Sequence, residues 1–132
     1  MNYLKAENIE IQVNVQDETI PVRGNALASG DDAIDKQAEE EIIAQLEQGN
    51  VWAWATVEVV ARFIVNGEMI CGQAYLGACS YPVNGERSFR HPENGYFAMM
   101  IGDAIIDAIN MRADIKITLA EKVKLIERES RR

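Results

Sequence analysis

The stretch VWAWATVEVVARFIVNGEMICGQAYLGACSY, Val51 to Tyr81, decides the fold. Two runs rich in β-branched and aromatic residues flank Asn66-Gly67, and Asn-Gly accepts the positive φ angles of a two-residue type I′ turn. The reading is a long hairpin, Val51 to Val65 and Glu68 to Tyr81. That turn sets a register in which Val65 faces Glu68, Phe63 faces Ile70, Val59 faces Ala74, Val57 faces Leu76 and Ala55 faces Ala78. One face is then almost wholly apolar and forms the expected core. The other pairs Trp52 with Tyr81, Trp54 with Cys79, Glu58 with Tyr75, Arg62 with Cys71 and Ile64 with Met69. A bulge at Gly72 or Gly77 would shift this register.

Upstream, Ile9 to Gln16 alternates strictly, with Ile9, Ile11, Val13 and Val15 on one side and polar residues on the other, which predicts a strand with one wet face. After the turn-rich Arg23 to Gly30 the period changes. Ile34, Ala38, Ile42 and Leu46 recur every four residues with Ile43 beside them, predicting a helix to about Gln48. Ser29 is the expected N-cap, Asp31 and Asp32 complement the dipole, and Gly49 is the stop.

Downstream, Pro82 to Gly95 reads as a polar loop, followed by a helix from Asn94 or Gly95 with a buried stripe of Phe97, Ile101, Ala104, Ile105, Ala108 and Ile109. Ile115-Lys116-Ile117 looks extended, and Thr118 with Glu121 resembles a capping box ahead of Leu119, Val123 and Ile126. A short terminal helix is favoured over a second hairpin across Ile115 to Ile126 or one continuous helix from Gly95. The order β-α-β-β-α plus a C-terminal element predicts an α+β fold: a two-layer sandwich with a three-stranded antiparallel sheet and helices on one face.

The chain has 132 residues, 48% apolar and 26% charged, which fits one globular domain and not a disordered chain. Its net charge of -8 is unevenly spread: Met1 to Met111 carries -11, whereas Arg112 to Arg132 carries +3. A single domain over 1–112 is expected, with 113–132 as an appended, basic, helical extension. Met1 to Glu7 has no apolar signal region, and Val51 to Val65 is interrupted by Glu58 and Arg62, so a cytoplasmic protein without a membrane span is expected. Cys71 and Cys79 lie eight residues apart on one strand, roughly 26 Å, and cannot bridge each other. Free thiols are expected.

The segments Ile20 to Asp32 (IPVRGNALASGDD), Val51 to Ala55 (VWAWA), Leu76 to Tyr81 (LGACSY) and Gly95-Tyr96-Phe97 resemble those of small acidic proteins encoded by phages and other mobile elements. The resemblance covers about Ile9 to Asn110. That family supplies a setting and no catalytic residues; this chain departs from it in its basic C-terminal extension and its longer loop around Asn84. What the resemblance implies is a protein that binds and blocks a host component.

Three sets of residues are candidates for contact. Trp52, Trp54, Glu58, Arg62, Tyr75 and Tyr81 form an aromatic outer face on the hairpin, the kind of set that dominates binding energy when buried in a patch. Cover by a second copy, by the tail or by a partner all fit such a face. Asp31, Asp32, Asp35, Glu39 and Glu40 give the first helix an acidic face, a solvated surface or a mimic of nucleic-acid phosphates. Arg87, Arg90 and His91 make a basic spot on an acidic body, suited to an anion contact.

Catalysis is not expected. A single histidine offers no metal cluster, and Cys79 as a strand residue reads as inert packing. No metal or cofactor is expected, and the acidic body opposes direct nucleic-acid binding. The expected function is a non-enzymatic, self-associating binding protein that occludes a host protein, in antiviral defence or nucleic-acid processing. A small-molecule or nucleotide-sequestering protein is the alternative.

Overall fold

The computed structural model describes all residues, Met1–Arg132. The strands are β1 (Asn2–Leu4), β2 (Glu10–Asp17), β3 (Ala55–Val65), β4 (Glu68–Cys79) and β5 (Ile115–Ile117). The helices are α1 (Asp32–Glu47), α2 (Glu86–Arg90), α3 (Gly95–Ile109) and α4 (Leu119–Ser130). The fold is α+β: β2, β3 and β4 form a three-stranded antiparallel sheet in that order, β1 and β5 form a separate parallel pair, and helices pack on the sheet. The chain divides into two compact units, one of Met1–Asn14, Glu58–Tyr75 and Phe89–Arg132, the other of Val15–Val57 and Leu76–Ser88.

The hairpin turn is as expected, with Asn66 and Gly67 at φ 52° and 80°. In β3 every odd residue from Ala55 to Val65 is buried. On β4 the even positions turn inward at Ile70 and Gly72, but Ala78 adopts φ 52° and the parity reverses, so Cys79 is buried. One residue in a left-handed conformation acts as the bulge anticipated near Gly77. The hairpin is also shorter at its open end. Val51–Ala53 forms a turn of 3-10 helix instead of the first residues of β3.

In the first unit, α3 buries Phe97, Met100, Ile101, Ala104, Ile105 and Ala108, close to the predicted stripe. Each large apolar side chain so removed from water contributes about 1.5–3 kcal/mol. The contact with β4 is close because Gly72 has no side chain: a Cβ there would lie 2.1 Å from the Ala104 carbonyl oxygen and 2.3 Å from the Ala108 nitrogen. Asp107 at the same level accepts the Gln73 backbone N–H at 2.9 Å.

The segment 113–132 is part of this unit and not an appendage. Asn2, Tyr3 and Leu4 pair in parallel with Ile115, Lys116 and Ile117. Thr118 caps α4 by accepting the Glu121 N–H at 3.2 Å, as the capping pattern predicts, while the Glu121 carboxylate instead accepts the Ala6 N–H. Arg128 donates to the carbonyls of Ala6 at 2.8 Å and Ile9 at 2.6 Å. These bonds tie the end of the chain to its start. The buried face of α4 is Leu125 and Glu129, whereas the predicted Leu119 and Val123 are exposed.

In the second unit, α1 begins at Asp31 and not at Ser29. The Asp31 carboxylate accepts the N–H groups of Ala33 and Ile34, and Ser29 is drawn to Asp35 instead. Gly49 follows the helix at φ 87°, as a stop signal requires. The helix rests against the Val51–Ala53 turn but has no buried residue. The expected buried stripe of Ile34, Ala38, Ile42 and Leu46 is only half covered, and Ile34 is 52% exposed.

Candidate functional site

The outer face expected on the hairpin is not a continuous aromatic surface. In the second unit the chain covers its own tryptophans. Trp54 is 4% exposed, and its indole N–H donates to the Ile20 carbonyl at 2.7 Å. The segment after β2 is anchored beside it by Glu18, whose carboxylate accepts the N–H groups of Thr19, Ile20 and Ala78 and a bond from Thr56. Trp52 lies edge-on to Tyr81 with ring centroids 6.2 Å apart. A Cβ on Gly85 would come within 2.8 Å of the same indole, so the loop after Tyr81 closes against Trp52. Trp54 is thereby removed from the candidate surface, because the bulge at Ala78 and the Glu18 to Ile20 cover place it inside.

In the first unit, the remaining candidates form a polar network. Glu58 accepts bonds from Tyr75 and from the Asn14 amide, the latter at 2.8 Å. The Tyr75 bond, then that of Asn14, hold the Glu58 carboxyl below the usual carboxylate range despite partial desolvation. The same contact pushes the Tyr75 hydroxyl up. Arg62 reaches Glu10 at 3.7 Å, an exposed pair worth little on its own.

The acidic set is largely spent on local structure. Asp31 caps α1; Asp35 accepts the Ser29 hydroxyl at 2.7 Å and its N–H at 3.0 Å; Glu39 accepts the Gly24 N–H; Glu40 lies 3.9 Å from Arg23. One of the five carboxylates thus caps α1, and three reach back to the turn before it. Asp32 lies in the first turn of the helix.

The expected anion spot is dismantled. Glu86–Arg90 is a short helix, not loop, because Phe89 is buried against Phe97 with centroids 5.3 Å apart. Arg90 is buried with it, its guanidinium 5.1 Å from the Phe97 ring and 3.4 Å from the Glu129 carboxylate. A cation so enclosed is a structural partner for Glu129 and not an anion receptor. Arg87 and His91 remain exposed, and His91 Nδ1 accepts the Glu93 N–H at 3.1 Å.

What the second unit does present is a groove of about 510 Å³ between α1 and the loop after β4. Ala38, Glu41, Ile42, Ala44 and Gln45 of α1 line one wall, and Pro82 and Val83 the other. Val83 is 70% exposed, and the half-covered stripe of α1 lies open to it. Periodicity alone places Ile42 in the core, and Val83 falls in a stretch, Pro82 to Gly95, that reads as a polar loop. The available signal was Pro82-Val83, an apolar pair directly after the hairpin.

No group of three or more His, Cys, Asp or Glu is placed to hold a metal ion. Cys71 is exposed; burial, followed by the nearby Glu18 charge, pushes the Cys79 thiol up to about 11. No helix is long and apolar enough to cross a membrane. No protein-family model, curated protein or solved structure matches the chain.

Proposed function

We propose that this is a non-enzymatic binding protein that occludes a partner protein by taking a basic amphipathic helix into the groove of α1. The observation that carries this reading is a helix of 16 residues with no buried residue, whose Ala38 and Ile42 line an open groove with the exposed Val83. Within a folded domain such apolar positions are normally covered. Helix-in-groove recognition uses apolar anchors at i, i+3, i+4 and i+7, which Ala38, Ile42, Pro82 and Val83 are suited to receive. Charge selects the ligand's sign. Asp32, Asp35, Glu39, Glu40, Glu41 and Glu47 stand on α1 against the single Lys36, so a basic helix is steered in and an acidic one repelled. In the phage setting implied by the resemblance, the partner is a host protein.

The test uses a fluorescein-labelled amphipathic Leu/Lys peptide and a Leu/Glu twin with identical apolar positions. The Lys peptide should bind and the Glu twin should not. Ile42→Glu should weaken binding about tenfold or more, although it adds negative charge. Equal or tighter binding by Ile42→Glu would reduce the interaction to bulk attraction and overturn the groove.

A further inference from the structure

The α3 helix has a second stripe besides the one it buries. Tyr96, Met99, Asp103, Ile106 and Asn110 recur with alternating spacings of three and four, the heptad seam by which two helices pack. Tyr96, Met99 and Ile106 are each at least half exposed. The neighbouring helix adds to this surface. Ala98 and Ile126 line one cleft, and a Cβ on Gly102 would come within 3.0 Å of the Lys122 side chain. Residue numbers therefore fall along α4 as they rise along α3, and Leu119, three-quarters exposed, stands level with Ile106. Val123 continues the patch.

At the middle of this surface are two charges of opposite sign, Asp103 on α3 and Lys122 over Gly102, and neither has an ion-pair partner within the chain. We infer that the face is the contact between two copies of this protein, related by a two-fold axis passing beside Gly102. An isologous contact brings the same patch to both sides, so each Asp103 meets the other copy's Lys122. Tyr96, Met99, Ile106, Leu119 and Val123 of the two copies then cover one another. A partner or surface of uniform charge would leave one of the two central charges opposed. A second copy satisfies both.

Sedimentation velocity over a concentration series tests this directly. The wild type should dimerise, and Ile106→Asp, on a site already exposed within the chain, should sediment as a folded monomer with a native circular-dichroism spectrum and a melt that no longer depends on protein concentration. Asp103→Lys and Lys122→Asp should each weaken the dimer about tenfold or more, and the double reversal should restore it by recreating the pairs in opposite sense. A wild type that stays monomeric at millimolar concentration overturns the inference. So does a dimer indifferent to Ile106→Asp, or charge reversals that fail to rescue each other.

Discussion

The Glu18 carboxylate accepts the backbone N–H of Ala78, 60 residues further along the chain. Ala78 occupies a left-handed conformation that costs a non-glycine residue about 1–2 kcal/mol, and a charge-assisted bond to its N–H helps offset that strain. The same carboxylate holds Ile20, whose carbonyl takes the Trp54 indole N–H. One side chain thus closes the outer face over a tryptophan and turns Cys79 inward.

Replacing Glu18 by Ala should destabilise the protein by about 1.5–3 kcal/mol, the range for a hydrogen bond to a charged group. The bonds from Ile20 and then Ala78 lower the carboxyl pKa from its ordinary 4.5. Its stabilisation is therefore fully present above 4.5 and fades as pH falls through the lower folded-state value. Urea unfolding should show the wild type approaching Glu18→Ala in acid; a gap that widens on acidification would contradict this role.

Thiol reactivity should separate the cysteines. Exposed Cys71 should react with a disulfide reagent at once, while Cys79, buried and raised to about 11, should react only on unfolding. Two fast thiols in the native protein would mean that the register reversal at Ala78 does not hold.

Gly72→Ala should be among the most damaging small substitutions, costing about 1–3 kcal/mol or more, because its methyl meets the α3 backbone and not a flexible side chain. Thermal melts of Gly72→Ala and of Gly95→Ala, whose Cβ meets nothing within 4 Å, provide the comparison. Equal melts would dismiss the close approach of α3 to β4.

Glu129 is 1% exposed and is met by Arg90 at 3.4 Å, Arg128 at 2.8 Å and Arg132 at 2.9 Å. Glu129→Ala removes the buried carboxylate that these three arginines share and should cost about 3–5 kcal/mol. Deleting 113–132 removes Glu129, Leu125 and the β5 partner of β1 together, and the remaining chain should lose its cooperative melt. A truncated chain that melts like the full one would restore the view of these residues as an appendage.

The hairpin, β2, α1, α3 and the Thr118 cap were legible because each rests on local chemistry: Asn66-Gly67 for the turn, strict alternation for β2, four-residue recurrence for the helices. Long-range substitutions of one partner for another were not. The bulge at Ala78 depends on a distant carboxylate, and nothing in the alternation of β4 announces it. The parallel pairing of Asn2–Leu4 with Ile115–Ile117 joins the two chain ends. The helix at Glu86–Arg90 exists because Phe89 finds Phe97, a tertiary contact that overrides turn-rich flanks. For the candidate site, the acidic charge of α1 was visible, whereas its openness was not, since periodicity shows which residues share a face but not whether anything covers it.

The most direct measurement is a backbone amide chemical-shift map of the full chain titrated with the Leu/Lys amphipathic peptide. Binding in the α1 groove should move Ala38, Ile42, Ala44 and Val83, and leave Glu58, Arg62 and Tyr75 on the outer sheet face unmoved. Shifts centred on Glu58, Arg62 and Tyr75, or no saturable shifts at all, would contradict the assignment of α1 as the binding surface.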